Sequence, residues 1–335
     1  MLNILKKVFW NAAERRLRAL WRLVLQSIAL FFLITVFSLF VAALATLTQF
    51  LSGHSADFVT MMQNSLGGHP LFILLNSGIQ LLAVLGSMAL AAWLLDRRSI
   101  AAFGLHFNRD WWLDLGFGLG LGALLMAGIF LFELSRGWLT ITATWHTRLP
   151  VAFPAALLLQ MALFLMVGIY EELLMRGYYL RNLAEGLNFP RLGARGSLLL
   201  AAVLSSAVFG VAHLGNPHAN AVSTLSIALA GIFLGLGYLL TGELAIPIGL
   251  HISWNLFQGN VFGFSVSGLA SYTSCFAIAQ GGPALWTGGE FGPEAGLVGI
   301  IAIVLGSALV ALWVRWRYGR IALHSSLALY QPLGE

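Results

Sequence analysis

Long apolar runs, each close to the length needed to cross a bilayer, alternate with short polar connections along this 335-residue chain. Uncharged runs fall at roughly 25–48, 70–95, 113–132, 152–175, 196–213, 221–241, 244–260 and 295–314. This pattern predicts an all-α, polytopic membrane helical bundle of about eight transmembrane helices. The seventh run is the shortest and contains Pro247. It leads into a long uncharged stretch up to Glu290, in which a membrane-embedded or re-entrant piece at 261–285 is open, provided protein shields its backbone. By the same reading, residues 1–24 form a basic, amphipathic surface segment, 25–320 a transmembrane domain with its polar core at 150–260, and 321–335 a tail.

Composition agrees with the pattern. The chain is 59% hydrophobic and 9% charged, against about 25% charged for soluble domains. The net charge of +5 does not point to nucleic acid, because the basic residues sit in short loops beside apolar runs. Lys6, Lys7, Arg15, Arg16, Arg18 and Arg22 precede the first run. Arg97, Arg98 and Arg109, then Arg181, Arg191 and Arg195, then Arg315, Arg317 and Arg320 mark every second loop. The segments 49–69, 214–220 and 261–294 hold no Lys or Arg, and only 133–151, with Arg136 and Arg148, departs from the alternation. The positive-inside rule then puts both termini in the cytoplasm, in a bacterial inner membrane on this reading. Trp111, Trp112, Tyr178 and Tyr179 fall where an interfacial aromatic belt would lie. The lone Cys275 excludes an intrachain disulfide. The glycine run 116–122 lies within an apolar run and follows no strand, so it reads as a close helix contact rather than a phosphate loop.

Three polar patterns interrupt the spans, and ionisable groups there are costly enough to imply a use. In Glu171-Glu172-Leu-Leu-Met-Arg176, Glu172 and Arg176 are one helical turn apart in the favourable order for an ion pair. Glu171 points about 100° away, which leaves it free to act as a general base while Glu172 is structural. Phe209 and His213 share a helical face, and so do His251 and Asn255, with Pro247 and Gly249 placed to loosen the helix before them. Together these groups supply a base, proton handlers and neutral oxyanion donors. Glu171, His213 and His251 would alternatively ligate a divalent metal such as zinc with a position open for water, although no His-Glu-x-x-His signature occurs. A transporter or channel path, or a non-catalytic scaffold or immunity protein, would use the same buried polar residues.

At these residues the chain resembles the CPBP family, the CAAX proteases and bacteriocin-processing enzymes also called Abi proteins. The resemblance rests on Glu171, Glu172 and Arg176, then Phe209 and His213, then His251 and Asn255, in order and over roughly 150–260. It implies an intramembrane endopeptidase acting on a membrane-associated protein or peptide within the lipid bilayer. Glu171 would activate water, His213 would assist it or bind metal, and His251 with Asn255 would hold the oxyanion. It leaves a metal-dependent and a metal-free, glutamate-dependent mechanism both open, with Asn255 better suited as an oxyanion donor than as a zinc ligand. The reaction cavity is expected to open to the cytoplasm. Straight helices of the lengths above would set Glu171 and His213 more than about 10 Å apart in depth, so one of the two helices must run deeper or end earlier than hydropathy indicates.

Overall fold

The computed structural model describes residues 8–51 and 70–331. Lys6, Lys7 and nearly all of the 49–69 loop lie outside the described residues, as do residues 1–7 of the expected N-terminal surface segment. In its place after residue 9 stands a tight hairpin of β1 (Trp10–Asn11) and β2 (Arg16–Leu17). The first long helix, α1 (Ala19–Leu51), starts directly behind it, followed by α2 (Pro70–Ala91) and α3 (Arg109–Ser135). Asn108 caps α3 by accepting the Trp111 N–H at 2.8 Å. After β3 (Leu139–Thr147) comes α4 (Phe153–Glu172), which continues without a break through wide π turns at Leu173–Leu180 and a last α turn at Arg181–Gly186. Helices α5 (Gly193–Ala212), α6 (Ala221–Thr241) and α7 (Ala245–Asn255) follow. The chain ends with β4 (Thr273–Gln280), α8 (Leu297–Tyr318) and a packed tail.

Among the described residues, seven helices are long and apolar enough to cross a membrane, one fewer than expected. The exception is α7, 11 residues long and buried at every position. Hydropathy cannot distinguish such a segment from a span, because both are apolar on all sides. Its first turn accommodates Pro247, where the missing N–H costs no helical bond, so the helix is not opened there. Gly249 instead allows contact: a Cβ there would lie 2.4 Å from the Leu115 carbonyl. From the other side, a Cβ on Gly118 would meet the Ile246 carbonyl at 2.5 Å, and one on Gly122 the Ser253 hydroxyl at 2.2 Å. The glycine run is therefore a seat for α7, as close helix packing predicts, although Gly116 and Gly120 face open space.

The stretch 261–294 is not a re-entrant helix. Within it β4 pairs antiparallel with β3, from Leu139↔Gln280 to Thr147↔Thr273. That pairing puts the 133–151 connection and the 261–294 stretch at one end of the bundle. Asn216 adds the 214–220 loop to the same end by donating to the Ser267 carbonyl at 2.9 Å.

The opposite end is held by buried charge. Arg16 and Arg22, read from sequence as surface residues, are each 1% exposed. They converge with Arg98 and Arg181 on Glu185, and Arg22 also binds Asp96 at 2.7 Å. The tail packs on this end too: the His324 N–H bonds the Leu239 carbonyl, Asn188 bonds that of Ala328, and Arg16 lies 3.5 Å over the Tyr330 ring. Desolvation, with the positive charge of Arg181 behind it, lowers the His324 pKa.

Candidate active site

Glu171 and Glu172 sit just past the middle of the continuous span Phe153–Gly186. Hydropathy ended this helix near 175 because Arg176 and Arg181 break the apolar run. Both arginines are in fact buried and paired, so the helix continues and the glutamates lie deep. α5 ends at Ala212, with His213 as its cap and Gly215 and Pro217 following. The longer α4 sets Glu171 deep in its span, and one chamber takes in both it and His213.

Glu172 is fully buried, and its Oε1 accepts two bonds: from the Arg176 guanidinium at 2.6 Å and from His251 Nδ1 at 2.8 Å. Arg176 also donates to the Gly231 carbonyl at 2.8 Å and lies 4.7 Å over the Phe209 ring. One carboxylate thus ties α4, α6 and α7 together and fixes the imidazole of His251. The i,i+4 pair was legible in the sequence. The bond to His251 was not, because 79 residues separate the partners.

With Nδ1 engaged, His251 Nε2 faces Glu171 Oε2 at 3.8 Å. Glu171 has no guanidinium partner and is 21% exposed. His213 donates from Nδ1 to the Phe209 carbonyl at 2.8 Å, which leaves Nε2 available. The Phe209 ring stands edge-on to His213 at 4.7 Å and to His251 at 6.2 Å, holding the two imidazoles apart. Asn255 lies one turn beyond His251 on the same face and is 8% exposed.

Glu171, Phe209, His213, His251 and Asn255 all line one chamber of about 970 Å³, and Glu172 and Arg176 stand behind its wall. Its upper rim is made by the 213–218 and 266–272 loops, where Pro217, His218, Leu269 and Ala270 are exposed. The chamber therefore opens toward the end that carries few arginines. The basic end is occupied by the Arg–Glu185 network and the packed tail.

Glu294 also lines the chamber, and no helical spacing marked it in the sequence. It is 3% exposed and accepts hydrogen bonds from the Ser267 backbone N–H and, at 2.6 Å, the Ser267 hydroxyl. Burial pushes its carboxyl above the usual range, opposed by hydrogen bonds from Ser267 and Gln258 and by the nearby His213. The donor set does not fit a metal: among the described residues, no three His, Cys, Asp or Glu side chains gather closely enough to hold one. Glu171, His213 and His251 share the chamber without forming such a group.

Residues 152–257, roughly a third of the chain, match the family model of type II CAAX prenyl endopeptidase Rce1-like proteins. Over this stretch the chain is similar to the CAAX-type intramembrane proteases. The matched stretch runs from the start of α4 to just past Asn255 and so contains every helix that contributes to the Glu171–His251 cluster. No curated protein and no solved structure matches the chain. With seven candidate spans and this family match, it is an integral membrane protein.

Proposed function

We propose that this chain is an intramembrane endopeptidase in which Glu171 activates the attacking water. The observation that supports it best is the approach of His251 Nε2 to Glu171 Oε2 at 3.8 Å inside a chamber that also takes in His213 and Asn255. Two carboxylates, Glu171 and Glu172, face one guanidinium and the imidazole of His251. With that imidazole doubly protonated the cluster is neutral, which a low-dielectric interior favours.

In this reading Glu171 takes a proton from water as the oxygen attacks the carbonyl carbon of a peptide bond. The negative charge that develops on the carbonyl oxygen is held by His251 Nε2–H and the Asn255 carboxamide, both fixed before reaction. His213 Nε2 accepts from the same water and orients it. Collapse of the intermediate breaks the C–N bond, and the proton on Glu171 passes to the leaving amine. Glu172 acts through His251 by keeping its ring orientation, as second carboxylates do for catalytic histidines. Retention of positive charge in the cytoplasm would put the chamber's mouth on the outer face of the membrane.

The test is cleavage of a panel of membrane-protein peptides by the purified protein in lipid nanodiscs, run beside Glu171→Gln. Cleavage that the variant abolishes supports the reading; equal cleavage by both removes Glu171 from it. Chelator treatment followed by zinc in the same assay separates metal-dependent from metal-free hydrolysis.

A further inference from the structure

The two imidazoles of the chamber are held unequally. Glu172 fixes His251 across the bundle, whereas among the described residues the His213 ring bonds only the Phe209 carbonyl of its own helix. His213 caps α5 and opens the 214–220 loop, so its place depends on what holds that loop. The Asn216 N–H returns to the His213 carbonyl at 3.1 Å, and the Asn216 side chain donates to the Ser267 carbonyl at 2.9 Å.

Ser267 is in turn placed by Glu294. Ser267 and Gly268 are the central residues of a tight turn between Val266 and Leu269, with φ of 48° and 83°. Positive φ at both positions is the type I′ pattern, which suits Asn-Gly and disfavours a serine. Glu294 supplies the missing support: its Oε1 accepts the Ser267 N–H and, at 2.6 Å, the Ser267 hydroxyl. The Phe291 carbonyl takes the Gly268 N–H at 2.7 Å. A Cβ on Gly268 would collide with the Pro217 carbonyl, so this turn sits directly against the His213 loop.

Glu294 stands on a firm base. It is 3% exposed and belongs to the short turn Pro293–Ala295 that leads into α8. It lines the chamber and interacts electrostatically with His213, yet it lies outside the matched stretch 152–257 and no step described above uses it. A buried acid on a fixed element thus reaches a catalytic loop through two hydrogen-bonded links, Ser267 and Asn216.

Resting on the endopeptidase reading, we propose that Glu294 is a positioning residue for hydrolysis, setting the place of His213 through Ser267 and Asn216 as Glu172 sets that of His251 directly. Each imidazole of the chamber is then oriented by its own buried acid. His213 orients the water and does not hold the peptide, so loosening it acts on the rate and not on substrate binding.

Peptide cleavage in lipid nanodiscs gives the first test. A misplacement of about 1 Å at a reacting group costs on the order of 10²-fold, so Glu294→Leu should lower kcat at least about tenfold. KM should stay within about twofold of wild type, because only a transition-state interaction is lost. Glu294→Gln keeps an acceptor for Ser267 and should recover to within about threefold of the wild-type kcat. Asn216→Ala cuts the next link from a loop position and should match Glu294→Leu even where the latter folds poorly. The double variant should fall no further than the worse single one, since both cut one path. Wild-type kcat in Asn216→Ala, or losses that add in the double variant, would overturn the inference.

The second test needs no turnover. Protein labelled with ¹⁵N-histidine is studied in liposomes by solid-state NMR, with the His213 ring signals assigned by their loss in His213→Gln. Glu294→Leu and Asn216→Ala should each broaden or split the His213 signals and leave those of His251 in place. Unchanged His213 signals in both variants refute the inference. If the wild type cleaves no peptide while the His213 signals still respond, the peptidase reading fails and the link from Glu294 to His213 stands.

Discussion

Glu171 and Glu185 lie on one continuous helix about four turns apart, and both are removed from bulk water. Glu185 meets Arg98 at 2.6 Å, Arg16 at 2.8 Å, Arg22 at 3.3 Å and Arg181 at 3.4 Å. Glu171 meets a single imidazole nitrogen at 3.8 Å and a chamber. The surroundings differ in what they leave unfinished. Around Glu185 the excess positive charge joins α1, α4 and the segment after α2, so the carboxylate is a strut. Around Glu171 the charge is satisfied one position further along, on Glu172, and the acid itself remains open to a ligand. A buried ionisable group reads as functional when its neighbours are fixed by something other than itself.

The widest separation of the two should come from neutralising each in turn. Glu171→Gln should lower peptide cleavage by about 10²–10⁴-fold, the usual contribution of a general base, with the yield and thermal midpoint of the purified protein unchanged. Glu185→Gln should do the reverse. Removing one partner of a buried charge network costs about 3–5 kcal/mol, so less folded protein should be recovered, and what is recovered should keep its kcat. Matching losses of yield in both variants, measured by size-exclusion chromatography in detergent, would erase the distinction drawn here.

Glu172 combines the two characters and should show both defects at once. Glu172→Ala strands Arg176, which is 1% exposed, at a cost on the order of 3–5 kcal/mol. It also frees the His251 ring, so the surviving protein should lose kcat. Glu172→Gln keeps an oxygen that can accept both bonds but removes the charge, and should fall between the wild type and Glu172→Ala in both stability and rate. A Glu172→Ala protein that folds poorly yet turns over at the wild-type kcat would assign Glu172 to structure alone.

How far these contrasts could be read from sequence depends on the distance over which each interaction acts. The separation of roles between Glu171 and Glu172 followed from helical spacing, as did the shared faces of Phe209 with His213 and of His251 with Asn255. These are local relations that 3.6 residues per turn impose. The Glu172–His251 bond, the α3–α7 crossing at Gly118 and Gly122, and the β3–β4 pairing join positions that no local period connects. Hydropathy misjudged two elements for one reason. It counts charge without knowing whether charge is paired, so it cut α4 short at buried Arg176 and counted the fully buried α7 as a span. Glu294 was missed because it sits in an irregular stretch, where a lone acid looks like a solvated one.

A smaller effect sharpens the comparison at α7. Gly122→Ala would force a Cβ to within 2.7 Å of the Trp254 N–H and 2.2 Å of the Ser253 hydroxyl. Overpacking of this kind costs about 1–3 kcal/mol, and it would push α7, with His251 and Asn255, away from α3. Gly120→Ala, on the same helix but facing open space, is the matched control. Thermal unfolding of the two variants should differ in that order, and equal midpoints would mean that the crossing is loose.

The smallest expected effect concerns Glu294, whose carboxyl is pushed above the ordinary range chiefly by burial. A carboxyl raised in the folded state favours folding while it is protonated in both states. Its contribution is fully present below the unfolded pKa and is lost as pH rises through the folded one. Glu294→Gln keeps a neutral acceptor for Ser267 but cannot ionise. Its stability should therefore decline less than that of the wild type as pH is raised from the acidic side toward neutrality. Melting temperatures across that range should show the two curves converging at low pH and separating as pH rises, with the variant above. Parallel curves would mean that Glu294 is solvated enough in the folded protein to ionise as it does in the unfolded chain, and would remove it from the set of buried acids to which Glu185 and Glu172 belong.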